Sequence, residues 1–291
     1  MSETVLSLGR KINVTHDLYG IVRTMKAIAA SNIAQYERAV ESLRLYMQAV
    51  ELGLVACLRH SELPTDGGEE AEDGRLVLVI GSDYGMVGQF NEHLAERVAQ
   101  SERPGSGQSL LWAVGERIQA RLEDAGFTLQ RLYPAPNSLS GVTPLVAQIL
   151  LDSYELTKGD RLKTLLVFHN RPKLKAGYEP ASQRLLPLDA EWVRRLSSIP
   201  WPTIKPPEVI GSGEIALAAL IREFLFGSLF KAFTESLAAE NASRFAAMQS
   251  AERNIEEFQA ELTLRFHRQR QRAIDEELAD VISGFEALSR R

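Results

Sequence analysis

Residue types suited to catalysis or ligand binding concentrate in one loop, residues 81–88, directly after an apolar run. Ser82 and Asp83 have the side chains of a nucleophile and its helper, but no histidine is placed to complete such a group. The glycine spacing fits neither a dinucleotide-binding fingerprint nor a phosphate loop, which requires Gly-Lys followed by Ser or Thr. We therefore expect a turn whose glycines allow close backbone approach.

Other reactive side chains are scattered along the chain. The five histidines have no metal-ligand spacing, and Cys57 is the only cysteine, so neither a metal site nor an intramolecular disulfide is expected. The 33 basic and 38 acidic residues give a formal net charge of -5, which indicates no general attraction to nucleic acid. We expect no cofactor and no nucleic-acid partner.

Apolar runs are short throughout the sequence. None approaches the ~18 residues of a membrane span, and the N-terminus lacks the apolar stretch of a signal peptide. The sequence therefore predicts a protein on the cytoplasmic side, without direct membrane insertion.

Proline distribution predicts the domain organisation. All 12 prolines lie between Pro64 and Pro207. Because proline inside a helix costs about 3 kcal/mol, we expect a long helix over 1–63 and a longer one over 208–291. The residues between them, 75–207, form an inserted domain in this prediction.

The first helix has the pattern of a coiled coil. Its apolar residues recur in alternating steps of four and three, which is the 3.5-residue repeat of a coiled-coil seam. Towards the N-terminus the register continues through Tyr19 and Ile12 but takes polar residues at Lys26 and Thr15. The seam residues are Ala29, Ile33, Tyr36, Val40, Leu43, Met47, Val50 and Leu54.

The last helix has two apolar blocks separated by an arginine-rich run, residues 265–272. That run is typical of a solvated helix face. The first block is Met248, Ala251, Ile255, Phe258 and Leu262, and the second is Ile274, Leu278, Val281, Phe285 and Leu288.

The insert alternates short apolar runs with helical patterns. Strands are predicted at 76–80, 110–114, 129–132 and 164–168, with a weaker one at 183–188 after a turn-rich stretch over 170–182. Helices are predicted at 91–100, 116–125 and 142–158. This alternation predicts an α/β domain with a mostly parallel sheet.

The two helices enter and leave the same insert, so they are expected to pair antiparallel. Placing Leu54 near Ile215 puts Met25 near Arg244 and the N-terminus near Gln259. Roughly the last 30 residues then have no partner within the chain. Because they carry an apolar stripe from Leu262 onwards, we expect another protein to sheath them.

Several stretches resemble the γ subunit of the rotary F-type ATP synthase, and the resemblance covers nearly the whole chain. They include residues 21–31 (IVRTMKAIAAS) and the loop 82–91 (SDYGMVGQFN). The most specific are residues 240–248 (ENASRFAAM), 270–278 (RQRAIDEEL) and 281–284 (VISG).

This resemblance implies a rotor. The fold would be a long antiparallel two-helix coiled coil with an inserted Rossmann-like α/β domain. The shaft would turn inside a ring of three α and three β subunits, while the insert docks on the ε subunit and the membrane c-ring. Ion translocation would thereby drive ATP synthesis, or hydrolysis would drive translocation, at the cytoplasmic face of the bacterial inner membrane. The chain itself would supply no catalytic residue.

The resemblance also implies contact residues. Met25 corresponds to a methionine facing a mobile loop of the β subunit, and Arg23 and Lys26 lie beside it. Arg244, Arg270 and Gln271 match shaft residues that contact β, and Asp275 stands where the family usually has threonine. The end of the last helix would form a bearing through Ile274, Leu278, Val281 and Phe285.

Further departures from the family pattern are Asn32, Tyr84, Val87 and His267. They indicate a divergent member, such as the sodium-translocating type. The coupling ion is set by the membrane ring.

Two other function classes fit parts of the sequence. One is a free-standing nucleotide-binding enzyme with a Rossmann-like core and helical arms. The other is a dimeric coiled-coil scaffold in which the C-terminal helices of two copies pair.

Overall fold

The computed structural model describes residues 4–58, 74–104, 109–158, 163–173, 177–188, 190–198, 201, 207–210 and 212–289. The predicted end of the first helix at 63 and the predicted insert boundary at 207–208 adjoin or fall on segments outside these residues. The chain divides into two compact units: residues 29–244, and residues 1–28 together with 245–291.

Two long helices flank an α/β region, as the proline distribution predicts. In chain order the elements are α1 (Val5–Leu58), β1 (Arg75–Ile80), α2 (Phe90–Ser101), β2 (Ser109–Val114), α3 (Glu116–Asp124), β3 (Arg131–Tyr133), α4 (Leu139–Lys158), β4 (Thr164–Pro172), β5 (Tyr178–Leu186), α5 (Ala190–Ser198) and α6 (Gly213–Ser289).

The five strands form one sheet in the order β3-β2-β1-β4-β5. The first four run parallel, and β5 is an antiparallel edge strand. This confirms the mostly parallel sheet. The turn-rich reading of 170–182 is wrong for most of that stretch, because β4 and β5 extend through it as a hairpin. Arg171 and Glu179 face each other there and form an ion pair of 2.6 Å.

Helix α5 was not predicted from the sequence. Its Trp192 ring lies 4.4 Å from the ring of Phe224 on α6, centroid to centroid. This contact between elements distant in sequence explains why local pattern alone did not reveal a helix of nine residues.

The sheet is covered on both faces. Alternate β1 residues Leu76 and Leu78 belong to a core shared with Phe233 of α6, and Val77 belongs to the opposite core with Leu94 of α2. The alternation follows from the period of two in a strand. Helix α6 therefore serves as one of the layers that cover the insert sheet.

Candidate functional site

The coiled-coil seam of α1 is confirmed along the helix. Thr15 is only 5% exposed and donates a hydrogen bond from Oγ1 to the Lys11 carbonyl at 2.7 Å. The seam also extends to Leu8 and Val5. The buried or half-buried positions are Val5, Leu8, Ile12, Thr15, Tyr19, Val22, Lys26, Ala29, Ile33, Tyr36, Val40, Leu43, Met47, Val50 and Leu54.

On α6 the predicted seam is partly wrong. Phe258 is 50% exposed, whereas its neighbour Gln259 is half-buried. The positions that turn inwards keep the alternating steps but include polar side chains, so apolar character alone selected the wrong residue. These positions are Met248, Glu252, Ile255, Gln259, Leu262, Phe266 and Gln269.

The predicted register of the helix pair is also corrected. A Cβ on Gly9 would lie 3.8 Å from the Phe266 ring, and the Lys26 ammonium pairs with Glu252. Position 26 was expected near residue 243, so the pairing is displaced by about two and a half helical turns. Leu262 and Phe266, expected to be unpartnered, are buried and half-buried.

Within residues 29–244, two glycines at which α1 and α6 approach closely explain the observed register of these two helices. A Cβ on Gly227 would lie 2.3 Å from Met47 Sδ, and one on Gly53 would lie 2.9 Å from Leu220 Cδ2. Glycine at these positions lets a long side chain of the facing helix sit against the backbone. Because Gly53 faces Leu220, the expected alignment of Leu54 with Ile215 is wrong by about one helical turn.

The three predicted contact residues of α1 differ in their surroundings. Arg23 is exposed and Met25 is half-buried. Lys26 is 26% exposed in its side chain and is paired with Glu252, whose side chain is 14% exposed. The Tyr19 hydroxyl donates to Glu256 Oε1 at 3.0 Å in the same helix pair. Lys26 therefore holds the pair together, while Arg23 faces solvent.

Arg244 is engaged within its own helix. Its Nη2 donates to Glu240 Oε1 at 2.5 Å, and the two side chains are only 16% and 10% exposed. Burial raises the pKa of Glu240, against the opposing attraction of Arg244. The same pair lies close to the buried Tyr36 phenol, whose pKa is raised by burial and by Glu240. The Arg244 guanidinium thus neutralises a buried carboxylate.

The end of α6 is exposed. Arg270, Gln271 and Asp275 face solvent, as does every other side chain described from 270 to 285. The predicted bearing residues are large apolar side chains with exposures of 47% for Ile274, 55% for Leu278, 65% for Val281 and 72% for Phe285. The side chain of Leu288 lies outside the described set. The structure thus brings these residues together as an uncovered stripe.

The loop after β1 uses its reactive side chains to hold the fold. Asn91 accepts from Ser82 N at 3.2 Å through Oδ1 and donates to Ser82 Oγ at 2.9 Å through Nδ2. The Asp83 carboxylate accepts from the backbone amides of Glu116 and Ala135, each at 3.0 Å. These bonds fasten the loop to α3 and to the segment after β3, which supports the prediction of a structural turn.

Helix α6 occupies the place where open α/β sheets usually bind ligands. That place is the crevice at the carboxyl ends of the strands, where the strand order reverses. Here the reversal is at β1, and Ser236 of α6 donates from Oγ to the Ile80 carbonyl at 3.2 Å. Ser243 donates to the Val87 carbonyl, and Ala239 packs with Val87 and Phe90. Sequence reasoning missed these small residues because their role depends on α6 crossing the insert.

The described part of the chain contains no candidate membrane span and no candidate metal cluster. No helix there combines the length and apolar character that crossing a membrane requires. No three His, Cys, Asp or Glu side chains come together there as they would around a metal ion.

Comparison with known proteins gives one consistent family. A family model described as ATP synthase matches residues 4–288. The ATP synthase gamma chain of Geotalea uraniireducens is 26% identical over 294 residues, covering 97% of this chain and 98% of the relative. That of Geobacter metallireducens is 27% identical over 292 residues, with the same coverage of 97% and 98%.

Solved structures agree on the fold. A mitochondrial ATP synthase structure from Euglena gracilis, comprising OSCP, F1 and c-ring, includes a chain that matches with a TM-score of 0.66 at 18% identity. The match covers 98% of this chain and 94% of that one. A rotor structure from the same organism gives a TM-score of 0.62 at 18% identity, covering 93% and 98%. The family model, which spans nearly all of the sequence, shows that the chain belongs to the ATP synthase γ-chain family.

Proposed function

We propose that this chain is the central rotor subunit of an F-type ATP synthase, coupling ion translocation through a membrane ring to ATP synthesis or hydrolysis. The observation that carries the proposal is the exposed apolar stripe on α6, in a chain of this family. Fully burying such a side chain is worth about 1.5–3 kcal/mol, so four of them favour insertion into a partner. In the proposal that partner is the ring of three α and three β subunits.

Exposed polar side chains on both long helices extend this proposal. Arg270 and Gln271 are exposed, and Arg23 is exposed on α1. Cations and amide groups on a rotating surface would meet acidic loops of the β subunits, giving contacts that are polar and readily exchanged. Asp275 adds a negative charge to this face, so we expect it to contact a basic or neutral position on β.

Met25, Lys26 and Arg244 have different proposed roles. Met25 is half-buried, so part of its flexible thioether is available to a moving loop of β. Lys26 and Arg244 are paired with Glu252 and Glu240. We propose that these two residues act mainly by positioning the helices that carry the contact surface.

Catalysis and membrane attachment are assigned to partners. We infer that the chain supplies no catalytic residue, because Ser82 and Asp83 are held in structural hydrogen bonds. The insert would dock on the ε subunit and the c-ring, which would place the chain at the cytoplasmic face of the bacterial inner membrane.

The alternative of a nucleotide-binding enzyme has less support. Its ligand would need the crevice beside β1, where Ser236 and Ser243 of α6 form their hydrogen bonds. The dimeric scaffold keeps one supporting observation, since the stripe could also pair with a second copy. The two alternatives are distinguished from the rotor by ligand binding and by oligomeric state.

The direct test is co-expression with the α and β subunits encoded beside this chain. The complex is purified through a tag on β, and ATPase activity is measured with and without this chain. We expect three α, three β and one copy of the chain, with activity dependent on its presence. An α/β complex that purifies without it, at equal activity, would refute the proposal.

A matched pair of variants tests the stripe. In one, Ile274, Leu278, Val281 and Phe285 are changed to serine, and the complex is expected to lose the chain during purification. In the control, Ile210 and Ile215, which are 96% and 72% exposed elsewhere on the chain, are changed to serine. If both variants are retained equally, the stripe is not the insertion surface.

A further inference from the structure

A cavity of about 560 Å³ is lined by residues of β4, β5, α5 and α6, none of which belongs to the stripe or to the loop after β1. Its volume falls in the range of about 300–1,000 Å³ typical of small-molecule sites. One wall is apolar and includes Leu185, Trp192 and Phe224. Leu185 and Phe224 are buried, and Trp192 is half-buried against Phe224. An apolar, partly aromatic surface is therefore already formed.

A bulge in β5 shapes this cavity. The register between β4 and β5 shifts so that Leu165 pairs with Leu186 while Leu166 pairs with Arg184. The extra residue is Leu185. Arg184 and the bulged Leu185 both line the cavity. Bulges are common beside binding sites.

Two arginines stand at the open side of the cavity. Arg184 comes from β5 and Arg195 from α5, and both are exposed. Within the described part of the chain, neither forms an ion pair or a side-chain hydrogen bond. Several other arginines of the insert are paired, such as Arg171 with Glu179 and Arg121 with Glu92. Among the described side chains, the open side of the cavity therefore carries two positive charges without a paired carboxylate, beside an apolar wall.

We propose that this cavity binds an amphipathic organic anion, with its apolar body against Trp192 and Phe224. Its carboxylate, sulfonate or phosphate group lies between Arg184 and Arg195. A guanidinium matches such a group because its planar donors can form two parallel hydrogen bonds. The tilted aromatic pair offers a ring surface to a flat or aliphatic body. Gln183 at the same wall supplies a further polar contact.

The test uses the fluorescent aromatic sulfonate anilinonaphthalene sulfonate, titrated into the full chain, and its uncharged analogue phenylnaphthylamine. We expect one sulfonate per chain, with energy transfer from tryptophan. The double variant R184Q/R195Q should weaken sulfonate binding by about tenfold or more, while binding of the neutral analogue changes less than about twofold. Retained neutral binding shows that the cavity itself is intact.

Two controls make the result decisive. Arg194, exposed on α5 and outside the cavity lining, is changed to glutamine, and wild-type affinity is expected. A second control carries the serine substitutions in the stripe of α6, which is another exposed apolar surface near arginines. Equal weakening by R194Q, unchanged affinity in R184Q/R195Q, or loss of binding only in the stripe variant would each overturn the proposal.

Discussion

Replacing Gly81 by alanine is expected to destabilise the insert severely for a one-carbon change. A Cβ at this position would lie 2.3 Å from Ile118 Cβ, 2.5 Å from Ile118 Cγ2 and 2.8 Å from Asn91 Oδ1. Ile118 is fully buried in α3, and Asn91 is 4% exposed. Neither side chain is a flexible tip that can turn away, so the backbone of the loop or α3 itself must move.

The expected loss in free energy of unfolding has two contributions. Overpacking a well-filled core costs about 1–3 kcal/mol, and displacing Asn91 from its hydrogen bonds to Ser82 adds about 1 kcal/mol. We therefore expect the free energy of unfolding to fall by about 2–4 kcal/mol. If the clash with Ile118 is the cause, the same substitution should cost much less in an Ile118→Gly background, which removes both clashing atoms, Cβ and Cγ2.

Urea unfolding followed by tryptophan fluorescence measures this effect, since Trp112 is buried in the insert core. The matched control is Gly20→Ala on an exposed face of α1, where a Cβ would meet nothing within 4 Å. That variant should be stabilised by up to about 1 kcal/mol, because alanine is the better helix former. A Gly81→Ala variant within about 0.5 kcal/mol of wild type would refute the close-approach argument.

Three further predictions test the shaft and its junction with the insert. Met25→Lys should reduce ion-coupled ATP synthesis in the complex while assembly survives, and unchanged synthesis would exclude Met25 from the contact. Deleting the residues after Arg272 should make the chain dissociate from α/β more readily, as gel filtration would show, whereas equal retention contradicts a sheathed end. Glu235→Gln should destabilise the chain at pH 7, because the Glu235 carboxylate pairs with His169 Nε2 at 2.8 Å. Although burial opposes ionisation, this bond and nearby cations lower the pKa of Glu235 from 4.5. The difference in free energy of unfolding between variant and wild type, measured in urea, should therefore shrink as pH falls below 4.5 through the folded-state pKa.

The seam of α1 was predictable because most of its positions are occupied by apolar residue types at regular spacing. A residue such as Tyr36 or Leu54 is buried wherever its helix packs, so a step of 3.5 residues identifies the inward face. The same holds for β1 and β2, whose apolar runs mark strands with both faces covered. Periodicity and composition therefore sufficed for the long helices and the centre of the sheet.

Register and polar seam positions were not predictable in this way. Lys26 and Glu252 are common surface types, and only their pairing shows that both turn inwards. Phe258 looks like a seam residue by type but lies one position from the inward row, at 50% exposure. The register of two helices depends on points of close approach, such as that between Gly227 and Met47. The residues that meet there are distant in sequence, so local pattern does not identify them.

The cavity of the insert was hidden for the same reason. It depends on a bulge at Leu185, on α5 and on Phe224, which come from three separate stretches of chain.

Among the proposed contact residues, the exposure of Arg270 and of the stripe agrees with a surface role. Glu240 and Arg244 are four residues apart on one helix, a spacing typical of surface ion pairs. The sequence therefore did not show that this pair is buried.

One helix links the parts of this molecule. Phe233 of α6 is fully buried in the sheet core, and Ser236 and Ser243 of the same helix bond to the chain at the end of β1. The same uninterrupted helix continues to the exposed stripe at Val281 and Phe285. The backbone of α6 is therefore continuous from the insert core to the stripe. Filling the ligand crevice of an α/β sheet with a helix therefore removes a binding site and provides an anchor for a shaft.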